Sequence, residues 1–148
     1  MDDKLIFRLK EFYTLEKFQV AFYESQVSTS SNEYYTKAFE KMVAIESGHA
    51  DFFAQVLDKA SIEVPTILGS VLEKAGGFIG DMVGLTGASN SCRLGVALES
   101  KAMESYRTFI TESKDKHYSE LRNTLMDYLL DEEFHTLWLK DYMEKHPH

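Results

Sequence analysis

Two Glu-x-x-His pairs, each inside a long stretch of helical periodicity, constrain this chain more than any other feature. They are Glu46 with His49 and Glu132 with His135. Because positions three apart share one face of an α-helix, each pair presents a carboxylate and an imidazole in the same direction. The sequence therefore predicts two helices that each carry a potential metal-binding face.

A single glutamate precedes each pair by one predicted helix. Glu16 stands before the first pair and Glu99 before the second, and each is followed two helical turns later by a tyrosine. The chain therefore predicts one helix-hairpin unit used twice. Four glutamates and two histidines brought together in a helical bundle are the ligand set of a di-iron or di-manganese carboxylate site.

The candidate ligands lie on apolar helical faces. A chance occurrence of the Glu-x-x-His spacing does not explain this placement. The positions that share a face with Glu16, for example, include Leu9, Phe12 and Val20. An ionised carboxylate in such surroundings is costly unless it is paired or binds a metal. Since these faces offer no nearby lysine or arginine in the sequence, they predict a bound cation.

Composition and charge exclude several classes of protein. The chain has 148 residues, 44% of them hydrophobic, and a formal net charge of −8, which argues against a nucleic-acid partner. Cys92 is the only cysteine, so neither a disulfide framework nor a Cys-x-x-Cys metal knuckle is expected. The N-terminal stretch lacks the apolar region of a signal peptide, and we expect a cytoplasmic location.

Periodicity and turn signals predict an all-α fold, an antiparallel four-helix bundle in a single domain, residues 1–148. The expected internal repeat covers residues 3–60 and 89–146, with Ser31 or Asn32 capping the second helix. An additional crossover helix is expected over residues 65–85.

The predicted crossover helix has two open interpretations. In the first, its glycines at positions 76, 80 and 84 allow close packing on the bundle or on a second copy in a homodimer. In the second, its apolar face lies at a membrane surface and forms a substrate entrance. Its length and its charged residues exclude a transmembrane span.

The chain resembles the ferritin-like di-iron superfamily, and within it the demethoxyubiquinone hydroxylase family of ubiquinone biosynthesis, with rubrerythrin-like proteins next. The resemblance rests on Glu16 with Tyr23, on Leu98-Glu99, on the two Glu-x-x-His pairs, and on Pro65-Thr66 leading to Ala75-Gly76-Gly77-Phe78. It implies a ferritin-like bundle and a monooxygenase that uses O2. It also implies a quinone substrate, an external electron donor and peripheral contact with the inner face of the cell membrane.

Ligand chemistry favours two iron ions, with manganese a close competitor and zinc an inert substitute. The expected ligands are Glu16, Glu46, His49, Glu99, Glu132 and His135. We expect Glu46 and Glu132 to bridge the metals and Glu16 and Glu99 to be terminal. Each histidine is expected to bind one metal and to donate its other ring N–H to an acceptor.

Further residues are candidates for supporting the ligands. Tyr23 and Tyr106 are candidate hydrogen-bond donors to the ligands, and the alternative interpretation, which we favour, makes them core aromatics with a hydrogen bond. Asp131 and Asp127 are candidate acceptors for the histidines, and an equally good interpretation makes them solvated helix charges. Three other glutamates are expected to point away from the site: Glu24, Glu104 and Glu133.

Functions of different classes remain open. The first is an oxidoreductase, either an O2-dependent hydroxylase or a rubrerythrin-like peroxide reductase. The second is ferritin-like iron binding and storage. A purely structural bundle is the third. The substrate and the electron donor cannot be read from the residues, and the ligand motifs alone do not separate the first two functions.

Overall fold

A computed structural model describes residues 1–66 and 87–147, which form four long α-helices and one short 3-10 helix, without any strand. The elements are α1 (Asp3–Thr29), α2 (Glu33–Lys59), α3 (Ala88–Glu112), the 3-10 helix Lys116–Tyr118 and α4 (Ser119–Lys145). The all-α prediction is confirmed. The predicted crossover helix lies outside the described residues, except for Pro65 and Thr66, which are not helical.

The first compact unit, Met1–Thr86, contains the hairpin of α1 and α2. Side chains cap both helices: an Asp2 carboxylate oxygen accepts from the Leu5 N–H at 2.7 Å, and Asn32 Oδ1 accepts from the Tyr35 N–H at 2.9 Å. Such a bond satisfies one of the N–H groups that a helix N-terminus leaves without an intrahelical partner. Of the two predicted caps for α2, the structure therefore selects Asn32.

Aromatic side chains hold α1 and α2 together along their shared face. The Phe12 and Phe53 rings lie 5.3 Å apart, and Tyr23 and Phe39 are separated by the same distance between centroids. These separations are typical of favourable aromatic contacts, which add to the stabilisation from burial. The apolar stripe predicted around the first two glutamates is thus a packed core.

The second compact unit, Gly87–His148, contains the hairpin of α3 and α4. Gly87 precedes α3 with a φ of 125°, a backbone conformation that favours glycine. Contacts of Glu99 with His135 and of Arg107 with Glu133 show that α3 and α4 run antiparallel. The core side chains of this unit include Ala102, Tyr106, Phe109, Leu125 and Leu139, all buried.

The two units correspond to the two predicted repeats. The boundary between them, at residues 86 and 87, falls in the interval between the repeat segments 3–60 and 89–146. Among the described residues, each unit contains one hairpin that carries one lone glutamate and one Glu-x-x-His pair. The treatment of the whole chain as one domain stays a prediction.

Candidate metal centre

Glu16, Glu46 and His49 form a first ligand cluster in the hairpin of α1 and α2. All three side chains are buried, and both glutamates have no exposed surface. His49 Nδ1 lies 3.3 Å from Glu16 Oε1 and 3.2 Å from Glu46 Oε2. The helical spacing of Glu46 and His49 aims both at α1, so one ring nitrogen faces two carboxylates.

Glu99, Glu132 and His135 form a second ligand cluster in the hairpin of α3 and α4. The two glutamates are again without exposed surface, and His135 is 6% exposed. His135 Nδ1 lies 3.2 Å from Glu99 Oε1. Potential ligand atoms of the three residues all lie within 4.8 Å of one another. The structure therefore brings together within each unit the three ligands that the sequence predicts there.

The donor atoms of both clusters suit iron. Carboxylate oxygens are hard ligands that can bridge two metals, and imidazole nitrogen suits iron and other first-row metals. Holding two carboxylates beside one imidazole out of solvent is unfavourable without compensating positive charge. A divalent cation would supply that charge, so the residues present fit the iron that their sequence pattern predicts.

The residues predicted to support the ligands differ in their burial. Tyr23 and Tyr106 are buried, at 0% and 1% exposure, and their role beside the ligands stays a prediction. Asp127 is exposed, which favours its interpretation as a solvated charge. Asp131 is half-buried, and its role as a histidine partner stays a prediction.

The glutamates that were expected to point away do so. Glu24 and Glu104 are exposed. Glu133 Oε1 accepts a hydrogen bond from Arg107 Nη2 at 3.0 Å, in a solvent-exposed ion pair that links α3 and α4. The structure thus separates the ligand glutamates from neighbours of the same residue type.

Several buried polar side chains were missed by the sequence interpretation. The Tyr35 hydroxyl donates to Gln26 Oε1 at 3.0 Å, which links α1 and α2 near their turn. Gln19 and Thr136 are also buried, each within one helical turn of a ligand glutamate. The signal for Thr136 was its position four residues after Glu132, a spacing that places both side chains on one helical face.

Comparison with known proteins decides the family. The family model described as "Ubiquinone biosynthesis protein COQ7" matches residues 16–146, which include all six candidate ligands. The chain belongs to the COQ7 family. Membership confirms the family resemblance of the sequence and supports a di-iron oxidoreductase of the hydroxylase type. No curated protein matches the chain.

A solved structure confirms the fold. The chain is similar to a ferritin-like, diiron-carboxylate protein from Bacillus anthracis str. Ames, with a TM-score of 0.76 and 20% sequence identity. The similarity covers 97% of this chain and 99% of that chain. The prediction of an all-α, ferritin-like four-helix bundle is therefore confirmed. No helix among the described residues has the length and apolar character needed to cross a membrane.

Proposed function

We propose that the chain is a di-iron monooxygenase that hydroxylates a quinone with O2. The observation that carries this proposal is the pair of buried clusters, each with two carboxylates and an imidazole in mutual contact range. Membership of the COQ7 family supports the substrate class, because the family is described by its part in ubiquinone biosynthesis.

The six side chains divide into three roles in this proposal. Glu46 and Glu132 would each be shared by two iron ions, and Glu16 and Glu99 would each hold one. The histidines would hold iron through Nδ1, since that atom of His49 and of His135 faces carboxylate oxygens. The other ring nitrogen, Nε2, would then carry the N–H that is expected to donate to an acceptor and so orient the imidazole.

The protein supplies a buried, largely apolar site for the reaction. Bound iron would supply the redox chemistry that activates O2. One oxygen atom of O2 enters the substrate, and the other leaves as water with two electrons and two protons from an external donor. The buried aromatic shell, which includes Phe12, Tyr23, Phe53 and Tyr106, excludes water and so limits side reactions.

A lipid-soluble quinone must reach the buried site from the surface of the protein. The substrate partitions into membranes, so we propose peripheral contact with the inner face of the cell membrane and entry from the bilayer. The segment expected to provide this contact, residues 65–85, lies mostly outside the described residues. A homodimer formed through the same segment also stays a prediction.

The deciding experiment follows oxygen into the product. Protein loaded with Fe(II) without air is mixed with a short-chain quinone analogue, a chemical reductant and 18O2, and the product is analysed by mass spectrometry. We expect one 18O atom in the hydroxylated product, and none when His49 and His135 are both replaced by Ala.

A matched control uses the exposed Glu104→Gln variant, which should retain full turnover. Protein that binds iron and consumes peroxide but leaves every quinone analogue unchanged would contradict the hydroxylase and support the rubrerythrin-like reductase. Protein that accumulates many more than two iron ions per chain would instead support storage.

A further inference from the structure

Thr136 differs from the other helical threonines whose hydrogen bonds the structure shows. Thr14, Thr29 and Thr124 each donate their hydroxyl to the carbonyl oxygen four residues earlier, at 2.8, 2.7 and 3.2 Å. Thr136 is only 7% exposed, and its Oγ1 has no hydrogen-bond partner within the described residues. The threonine that most needs a partner thus lacks the local one that helices ordinarily offer.

The position of Thr136 on α4 places it toward α3. Glu133 and His135 both contact side chains of α3, whereas Phe134, between them in sequence, is 65% exposed. Since successive helical residues are rotated by about 100°, the direction of α3 must lie on the side of α4 opposite Phe134. Thr136 projects from that side, beside the second ligand cluster.

Within the second cluster, Glu99 is the better placed acceptor for this hydroxyl. Side chains of a helix lean toward its N-terminus, so Glu132 and Thr136 lean the same way on their common helix and do not converge. Glu99 projects from the antiparallel α3 and leans the opposite way, toward the level of His135, which it already contacts at 3.2 Å.

At the equivalent position of α2, the first ligand cluster has no hydroxyl. The residue that follows His49, and stands four positions after Glu46, is Ala50, which is 2% exposed. Both positions are buried, but only the second repeat carries a hydrogen-bond donor there. At this position the second repeat therefore adds a hydroxyl and a methyl group to an equivalent pattern of candidate ligands.

We propose that Thr136 is a positioning residue of the second cluster, whose hydroxyl donates to the carboxylate of Glu99 when that carboxylate binds metal. This inference rests on the proposed di-iron function. A carboxylate that gives one oxygen to a metal retains lone pairs that need donors, and such donors orient metal ligands. The two metal positions are therefore inequivalent, with the stronger support at Glu99.

The test compares Thr136→Val, which removes the hydroxyl at nearly constant shape, with Thr136→Ser, which keeps it. Fe(II) affinity is measured by anaerobic equilibrium dialysis. We expect Thr136→Val to weaken one of the two binding steps about tenfold and to leave the other unchanged. Thr136→Ser should bind within about twofold of the wild type. Thr124→Val, on the same helix, is the matched control, and its Fe(II) affinity should equal that of the wild type.

Melting of the metal-free variants provides a readout that is independent of activity. Removing a buried hydroxyl without a partner should raise the Tm of metal-free Thr136→Val by about 2–4 °C, while its stabilisation by Fe(II) becomes smaller. Two wild-type-like binding steps in Thr136→Val, or equal weakening in the Ser variant, would overturn the proposal while the di-iron function stands. Wild-type protein that binds no Fe(II) would instead remove the proposed function itself.

Discussion

The two ligand clusters use the same three residue types in the same helical pattern, yet their surroundings differ. In the first cluster His49 Nδ1 contacts both carboxylates, at 3.3 and 3.2 Å. In the second, His135 contacts Glu99 at 3.2 Å, and Thr136 stands where the first has Ala50. The repeat therefore specifies the candidate ligands and their apolar shell, while the neighbouring side chains differ between the two clusters.

The helix ends of the two units differ in a similar way. In the described part of the first unit, α1 and α2 each begin with a side-chain cap, from Asp2 and Asn32. In the second unit α3 begins after Gly87 and α4 after Tyr118, and neither residue provides a side-chain cap bond. The second hairpin has a side-chain cap only from Asp115, at the start of the 3-10 helix that leads into α4.

Removal of metal should lower the stability of the folded protein more than any single substitution in either cluster. Each site filled at a hundredfold excess over its Kd contributes about 2.7 kcal/mol to folding. Two such sites should raise the Tm by about 10–20 °C over the metal-free protein. Calorimetry with and without Fe(II) measures this, and His49→Ala and His135→Ala show how much of the increment each cluster provides. Identical melting of metal-free and loaded wild type would contradict the ligand placement.

Neutralising one glutamate should change the stability by a smaller amount. In the metal-free protein it should raise the free energy of unfolding. Glu16→Gln removes one of two carboxylates beside His49, which keeps its 3.2 Å contact with Glu46. We expect the variant to be about 1 kcal/mol more stable without metal and to lose monooxygenase turnover.

The stability change of metal-free Glu16→Gln is compared with that of Glu99→Gln, both measured by urea unfolding. Glu99 is the carboxylate that His135 contacts directly, so we expect less stabilisation, or none, from this substitution. A clear loss of stability in Glu16→Gln would show that the first cluster is already balanced in charge without a metal.

Much of this arrangement could be predicted because it follows from local periodicity. The spacing of Glu46 and His49 fixed their common face, and Asn32 carried a cap signal that the structure confirms. The spacing of Thr136 from Glu132 indicated its burial, but its missing hydrogen-bond partner could not be predicted, since that depends on how α4 packs against α3. The bond between Gln26 and Tyr35 likewise depends on the register of two helices.

Substitutions at the helix starts should change the free energy of unfolding least. Asn32→Ala removes the bond to the Tyr35 N–H and should lower the free energy of unfolding by about 1 kcal/mol. Gly87→Ala should also destabilise, by roughly the same amount, because its φ of 125° disfavours a side chain. Chemical denaturation of both variants checks this, and an unchanged midpoint for Asn32→Ala would show that the cap contributes nothing.

The most direct test of the central claim, six ligands for two iron ions, is an anaerobic Fe(II) titration followed by elemental analysis. The wild type and the exposed-site control Glu104→Gln should each bind two iron ions per chain. Glu46→Ala, in the first cluster, and His135→Ala, in the second, should each bind fewer. Full stoichiometry in both ligand variants would contradict the assignment of these residues to a di-iron centre.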